Sequence, residues 1–193
     1  MSRSAMNNNI GKYTSDAALM GAVAIGLQDA LRTVIDRYMS MVSRTSYRIL
    51  CDMDDSEEIT QEVFIRIWRN ASDFDGRYSL SIWIYRITCN LCYDRLLRRK
   101  ILPISPSVYE TSAPEAQSSE EDFITKETWE IFCRASSSLS TNQRTVFTLR
   151  DLEGLDTAEV EAITGLTPDQ IKSNLHIARN KIIQELERYG KVR

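Results

Sequence analysis

The sequence predicts an all-α protein made of two small helical domains joined by a flexible linker, and three observations carry that expectation. Apolar residues recur at three- and four-residue steps wherever a period is visible, which is the spacing of one helix face. Glycine and proline are scarce, at 7 and 4 of 193 residues, so the turn-dense pattern of a β-protein is missing. From about residue 101 to 122 the apolar period gives way to Pro103, Pro106 and Pro114 among serines. That stretch reads as a linker between a block over 16–100 and a second over 123–189.

The first block opens with Ala17–Leu27, an unbroken apolar run with Arg3 and Lys12 upstream, a layout that resembles the core of an export signal. Asp16 directly before it and its Ala/Gly content favour a short core helix instead, with Gln28-Asp29 opening the next helix without a pause. The run is too short to span a bilayer, and the expected location is the cytoplasm. Leu31, Val34, Ile35, Tyr38, Met41, Val42, Thr45 and Ile49 mark one face of a long helix. Asp52–Ser56 interrupts it, and Asp55 is placed to cap the next helix with Glu58 in the capping-box position. The buried face there is Ile59, Val63, Phe64, Ile67 and Trp68. Ser72–Ser79 is a loop by composition, pivoting on Gly76. A third long helix is buried through Leu80, Trp83, Ile84, Ile87 and Leu91 and ends in a basic run, Arg95 to Lys100.

The second block begins with Ile124, Trp129, Ile131 and Phe132, and continues with a helix capped by Ser140 or Thr141 that buries Val146, Phe147 and Leu149. Its last part, Asp151–Lys181, has the layout of a helix-turn-helix, which lays one helix in the major groove of DNA. Thr157–Ile163 signals the first helix, Gly165 supplies the turn, and Leu166 plugs the space between the helices. Thr167-Pro168-Asp169 opens the second with an N-cap hydroxyl, a proline at the first position and an acid at the positive end of the dipole. Ile171, Leu175 and Ala178 form its buried stripe, which leaves Gln170, Lys172, Ser173, His176 and Arg179 facing outward. The same pattern fits an ordinary helical hairpin, so the segment alone leaves both readings open.

A formal net charge of −3 requires any DNA-binding surface to be built from locally concentrated cations. The distribution is segregated: residues 107–130 hold seven acids against one lysine, whereas 84–100 hold five cations against Asp94. Four cysteines, at 51, 89, 92 and 133, are too few for a disulfide framework. Cys89 and Cys92 have the spacing of half a metal or redox motif, but no second pair follows and the segment reads as helix interior, so packed thiols are expected and no metal. No Ser/His/Asp set or phosphate-cradling loop is present and His176 is the sole histidine, so no catalytic residues, cofactor or small-molecule substrate are expected.

Tyr38 to Lys100 contains DMDDSEEITQEVFIRIWRN, then FDGRYSLSIWIYRITCN, then LCYDRLLRRK, and resembles the second conserved region of bacterial sigma-70-family sigma factors. LSTNQRTVFTLRDLEGLDTAEVEAITGLTPDQIKSNLHIARNKI resembles the fourth. The short acidic linker, with no recognisable third region, is similar to the extracytoplasmic-function subgroup. The resemblance implies a region 2 bundle and a region 4 helix-turn-helix bundle that direct core RNA polymerase to promoter DNA and aid its melting. It implies the β′ clamp helices and β flap of the polymerase as partners, and an anti-sigma factor as inhibitor. The matching positions for polymerase binding are Asp55, Glu58, Gln61, Glu62 and Phe64.

For the −10 element they are Arg77, Tyr78 and Ser79 in the loop and Trp83, Arg86 and Asn90 on the next helix, with Arg95, Arg98 and Arg99 meeting phosphates. Trp83 is read as core first and DNA contact second. For the −35 element they are Gln170, Lys172, Ser173, Asn174, His176 and Arg179. Here the chain departs from the family's usual pattern, since Asn174 and Ile177 stand where arginines are common. Each lost contact weakens binding by about 1–3 kcal/mol. The rival to this reading is a stand-alone helix-turn-helix regulator that needs no polymerase.

Overall fold

The computed structural model describes residues 13–101 and 126–191, which form eight α-helices. The linker expected over 101–122 lies almost wholly outside the described residues. Helix α1, Asp16–Ala24, is capped by Ser15, whose hydroxyl accepts from the Ala18 amide at 3.1 Å. It buries Leu19, Met20 and Val23. The apolar run does not continue into the next helix, as the sequence reading had it. Gly26 takes φ +84°, and its amide donates to Val23 O while that of Leu27 donates to Ala22 O, the paired bonds of a Schellman stop. Ile25 and Leu27 are consequently exposed.

Helix α2, Gln28–Leu50, presents the expected face inward, and it stops at Cys51 in the left-handed region, φ 51°. Helix α3, Met53–Arg69, is capped by Asp52, whose carboxylate accepts from the Asp55 amide at 2.9 Å. The expected cap at Asp55 is therefore displaced by three residues, and Asp55 instead pairs with Arg95 and Arg99 of the fourth helix. Trp68 is also corrected: it is 56% exposed, because Ile67 completes the buried stripe of α3. A short 3-10 turn, Ala71–Asp73, and the Gly76 loop lead into α4, Leu80–Ile101. Helix α4 is buried well beyond one stripe: Ile82, Tyr85, Cys89 and Cys92 join Leu80, Ile84 and Leu91 in the core. Cys89 and Cys92 are thus packed thiols, as their spacing on a helix suggested, and burial pushes both up, Cys92 to about 12.

In the second unit, α5 spans Lys126–Ser137 and α6 spans Thr141–Phe147, with Ser140 and Gln143 forming a reciprocal capping box. A π-helical turn, Thr148–Leu152, extends α6. Helix α7, Thr157–Thr164, has a second capping box, Asp156 with Glu159, and ends at Gly165 with φ 71°. Helix α8, Pro168–Lys191, opens on Thr167 and Gln170, which exchange side-chain and backbone hydrogen bonds. The units do not stand apart. Val146, Leu149, Val160, Ile163, Ile171 and Leu175 belong to the same apolar cluster as the core of α1–α4. A smaller cluster joins Tyr47 and Cys51 of α2 to Trp129 and Phe132 of α5, with the Tyr47 and Trp129 rings stacked at 4.9 Å.

Candidate nucleic-acid interface

The loop before α4 is polar and outward. Asp75 turns it by accepting from the Arg77 amide at 3.0 Å and pairs with the Arg77 side chain at 2.9 Å. Tyr78 is 53% exposed. Ser79 caps α4 by accepting from the Ile82 amide at 3.4 Å and also bonds the Ser81 hydroxyl at 2.8 Å. Trp83 is half-buried, edge-on to Phe74 at 5.8 Å, in keeping with a packing role first. Arg86, Asn90 and Asp94 fall at four-residue steps along α4 and are all exposed, so a guanidinium, an amide and a carboxylate share one strip. That strip is not wholly open. A shallow cleft beside Asn90 is walled by Tyr93 on its own helix and by Asn142, Thr145, Ile163, Thr164 and Leu166 of the second unit.

The basic end of α4 is largely committed to internal ion pairs. Arg95 pairs with Asp55 and, at 2.7 Å, with Glu58; Arg99 pairs with Asp55 and, at 2.9 Å, with Asp52. These bridges lash α4 to the first turn of α3, and the Glu58 hydrogen bond, with the nearby carboxylate charges, holds the Arg95 proton more firmly than usual. Arg98 is exposed and makes no ion pair among the described residues. Of the three arginines assigned to phosphates, Arg98 therefore has the freest charge. Along α3, Gln61 is exposed, Glu62 pairs with Arg66 at 3.1 Å, and Phe64 is 7% exposed and packs inward.

The helix-turn-helix has the expected stripe: Ile171, Leu175 and Ala178 are buried, at 1%, 8% and 0% exposure. Gln170, Lys172, Ser173, His176 and Arg179 face solvent. Asn174 is half-buried and its amide donates to the Gln170 carbonyl at 2.7 Å, an intrahelical bond that occupies it. Arg179 is held by both oxygens of Asp151 at 2.6 and 2.7 Å, and that carboxylate keeps the guanidinium proton tighter still.

The residue that sequence reasoning missed is Glu153. Its side chain is 1% exposed and its carboxylate accepts from Arg44 at 2.8 Å, Arg48 at 2.9 Å and the Tyr85 hydroxyl at 3.1 Å. Burial and this carboxylate push the Tyr85 hydroxyl well up. Arg48 also donates to Leu152 O, and Arg144, itself buried, donates to Ile49 O at 3.0 Å. These bonds join α2 and α4 to the second unit. Their partners lie about a hundred positions apart, so no periodicity marks them; the sole local sign is an acid before Gly154, whose φ is +72°.

Residues 34–101 match the family described as Sigma-70 region 2, and residues 131–182 match Sigma-70, region 4. The ECF RNA polymerase sigma factor SigW of Bacillus subtilis is 26% identical over 170 residues, covering 83% of this chain and 91% of that protein. The ECF RNA polymerase sigma-E factor of Escherichia coli K12 is 27% identical over 187 residues, covering 92% and 97%. Among solved structures, CnrH in complex with the cytosolic domain of CnrY superposes with a TM-score of 0.64 at 20% identity, covering 89% of this chain and 97% of that one. The sigma factor RpoE from Bartonella quintana, in complex with the anti-sigma factor NepR, gives 0.63 at 20% identity, covering 81% and 96%.

Proposed function

The chain belongs to the sigma-70 family of RNA polymerase sigma factors, in its extracytoplasmic-function subgroup, and on that footing we propose how its own residues carry out promoter-directed initiation. Residues 16–100 dock on core polymerase and read the −10 element, and residues 123–189 read the −35 element. The factor acts in the cytoplasm, with no catalytic chemistry of its own, and hands the melted promoter to the polymerase. Among the described residues no helix is long and apolar enough to cross a membrane, in keeping with that placement.

The observation that carries this reading is the exposed strip Arg86, Asn90 and Asp94 directly beyond the Gly76 loop. A polar, adaptable loop suits an extruded base, and the Asn90 amide suits a base edge. Arg77, Tyr78 and Ser79 receive the base, Arg98 meets phosphate, and Arg95 and Arg99 do so once their carboxylates find other partners. Glu58, Gln61 and Glu62 face the β′ clamp helices, with Asp55 and the buried Phe64 holding their helix in place from beneath. Gln170, Lys172, Ser173, His176 and Arg179 face the −35 major groove while Asn174 stiffens their helix, and the same unit meets the β flap. In the packed arrangement the second unit walls the cleft beside Asn90, so the two units must part before α4 reads DNA. An anti-sigma factor holds the chain back until that point, as the partners named for CnrH and RpoE suggest for those proteins.

Run-off transcription with core polymerase on a promoter library tests the reading. Asn90→Ala lowers transcription from the cognate promoter while leaving core-polymerase binding intact; an unchanged transcript level would remove the −10 assignment. Operator binding at full strength without polymerase would instead mark a stand-alone regulator.

A further inference from the structure

Two cysteines sit where the units meet. Cys51 closes α2 and Cys133 lies on α5, on opposite sides of the cluster built around the stacked Tyr47 and Trp129 rings. Cys51 is 5% exposed, whereas Cys133 is half-buried at the edge of the cluster. The backbone at Cys51 is unusual: among the described residues it is the non-glycine position with positive φ. A side chain in the left-handed region is strained, and such outliers cluster at functional positions. The turn aims its sulfur at α5, where the Cys133 thiol donates a hydrogen bond to it. Arg144, pinned by Ile49 O and Ser136 O, and Arg99 place positive charge beside the same sulfur. Together with the Ser136 hydroxyl, these contacts hold the Cys51 thiol below its ordinary range despite burial, while the Cys133 proton is retained. One sulfur is thus prepared as thiolate and its neighbour as the resolving thiol. Cys89 and Cys92 are the contrast, since burial keeps both protonated in the α4 core.

We propose that Cys51 and Cys133 are a redox-active pair whose oxidation by a peroxide forms a disulfide that staples the two units in their packed arrangement. The Cys51 thiolate attacks one oxygen of hydrogen peroxide, the O–O bond breaks, and the departing hydroxide takes a proton to leave as water. The Cys133 sulfur then displaces hydroxide from the Cys51 sulfenic acid, and its proton leaves with that hydroxide as a second water. Two thiols and one peroxide become one disulfide and two waters, the thiols supplying both electrons. The staple spans a segment whose two ends belong to different units, so it opposes the parting that promoter reading requires. This regulatory consequence rests on the initiation-factor reading, whereas the disulfide itself does not.

The full chain is treated with hydrogen peroxide, alkylated, and mapped by mass spectrometry, with Cys133→Ser and Cys51→Ser alongside and helix content checked by circular dichroism. The expected result is a Cys51–Cys133 linked peptide in a monomeric protein, absent from both variants. Promoter-specific transcription with core polymerase is then lost on oxidation and regained with dithiothreitol, and Cys133→Ser transcribes through the same treatment. Oxidation that appears only between chains, or between Cys89 and Cys92, overturns the pair. A linked peptide with undiminished transcription overturns the staple. If the linked peptide forms but the reduced chain directs no promoter-specific transcript, the initiation-factor reading fails and the thiol pair stands.

Discussion

Glu153 is the side chain on which the contact between units most depends. A carboxylate at 1% exposure is tolerated because Arg44, Arg48 and Tyr85 surround it, and removing one member of such a buried set leaves charge without compensation. Glu153→Ala strands Arg48, itself only 11% exposed, and is expected to lower stability by about 3–5 kcal/mol, read by thermal or denaturant unfolding. A second effect separates this role from simple support of the fold. The variant's units part more readily, so small-angle scattering should show a larger radius than wild type at a temperature where both remain helical. Arg179 illustrates the opposite case, an exposed cation held by a half-buried acid. Asp151→Asn releases it, and binding to −35 duplex should tighten, with a steeper dependence on salt, in a fluorescence-anisotropy titration. If the affinity and its salt slope are both unchanged, Arg179 does not face DNA.

At the scale of the element, the helices were legible wherever one face alone is buried. The stripe of α2 and the Ile171, Leu175 and Ala178 stripe of α8 were read correctly because each packs on one side, and periodicity reports that directly. Trp68 was misplaced because the inward stripe of α3 is narrower than its apolar content, and the cap of α3 was misplaced because Asp52 and Asp55 are equally good candidates by type. What separates them is tertiary: Arg95 and Arg99 claim Asp55 and leave Asp52 to the helix amide. Glycine shows how local geometry sets the sign of one substitution. Gly21 lies exposed inside α1 with open space at its Cβ position, so Gly21→Ala should stabilise by about 0.5–1 kcal/mol. Gly165 has equally open space but φ +71°, so Gly165→Ala should destabilise by about 1–2 kcal/mol and loosen the helix-turn-helix. Denaturant unfolding of the two variants gives both signs, and shifts of the same sign would contradict the turn geometry.

Across the whole molecule, the packed arrangement carries its own dependence on alkali. Burial pushes the Tyr47 hydroxyl from its ordinary value near 10 up to about 12. The folded state therefore holds this proton more tightly than the unfolded chain does. The contribution of Tyr47 is complete below pH 10 and disappears as the pH rises through 12, so stability should fall across that window. Titrating tyrosinate absorbance beside Trp129 fluorescence checks it, and Tyr47→Phe should shift the loss of the Trp129 signal to higher pH. Sequence by itself determined the helical class, the helix-turn-helix and the residues available to touch DNA, because each is written in nearest-neighbour spacing, turn chemistry and side-chain type. The tertiary structure alone decided which of those residues are free. Arg95, Arg99 and Arg179 are held by acids, Asn90 borders a cleft walled by the other unit, and Glu153 and the Cys51–Cys133 pair join the two units. The physical reason is reach: helix periodicity is enforced over three or four residues, while an ion pair or a packed thiol is settled by whichever distant segment the fold brings within a few ångströms.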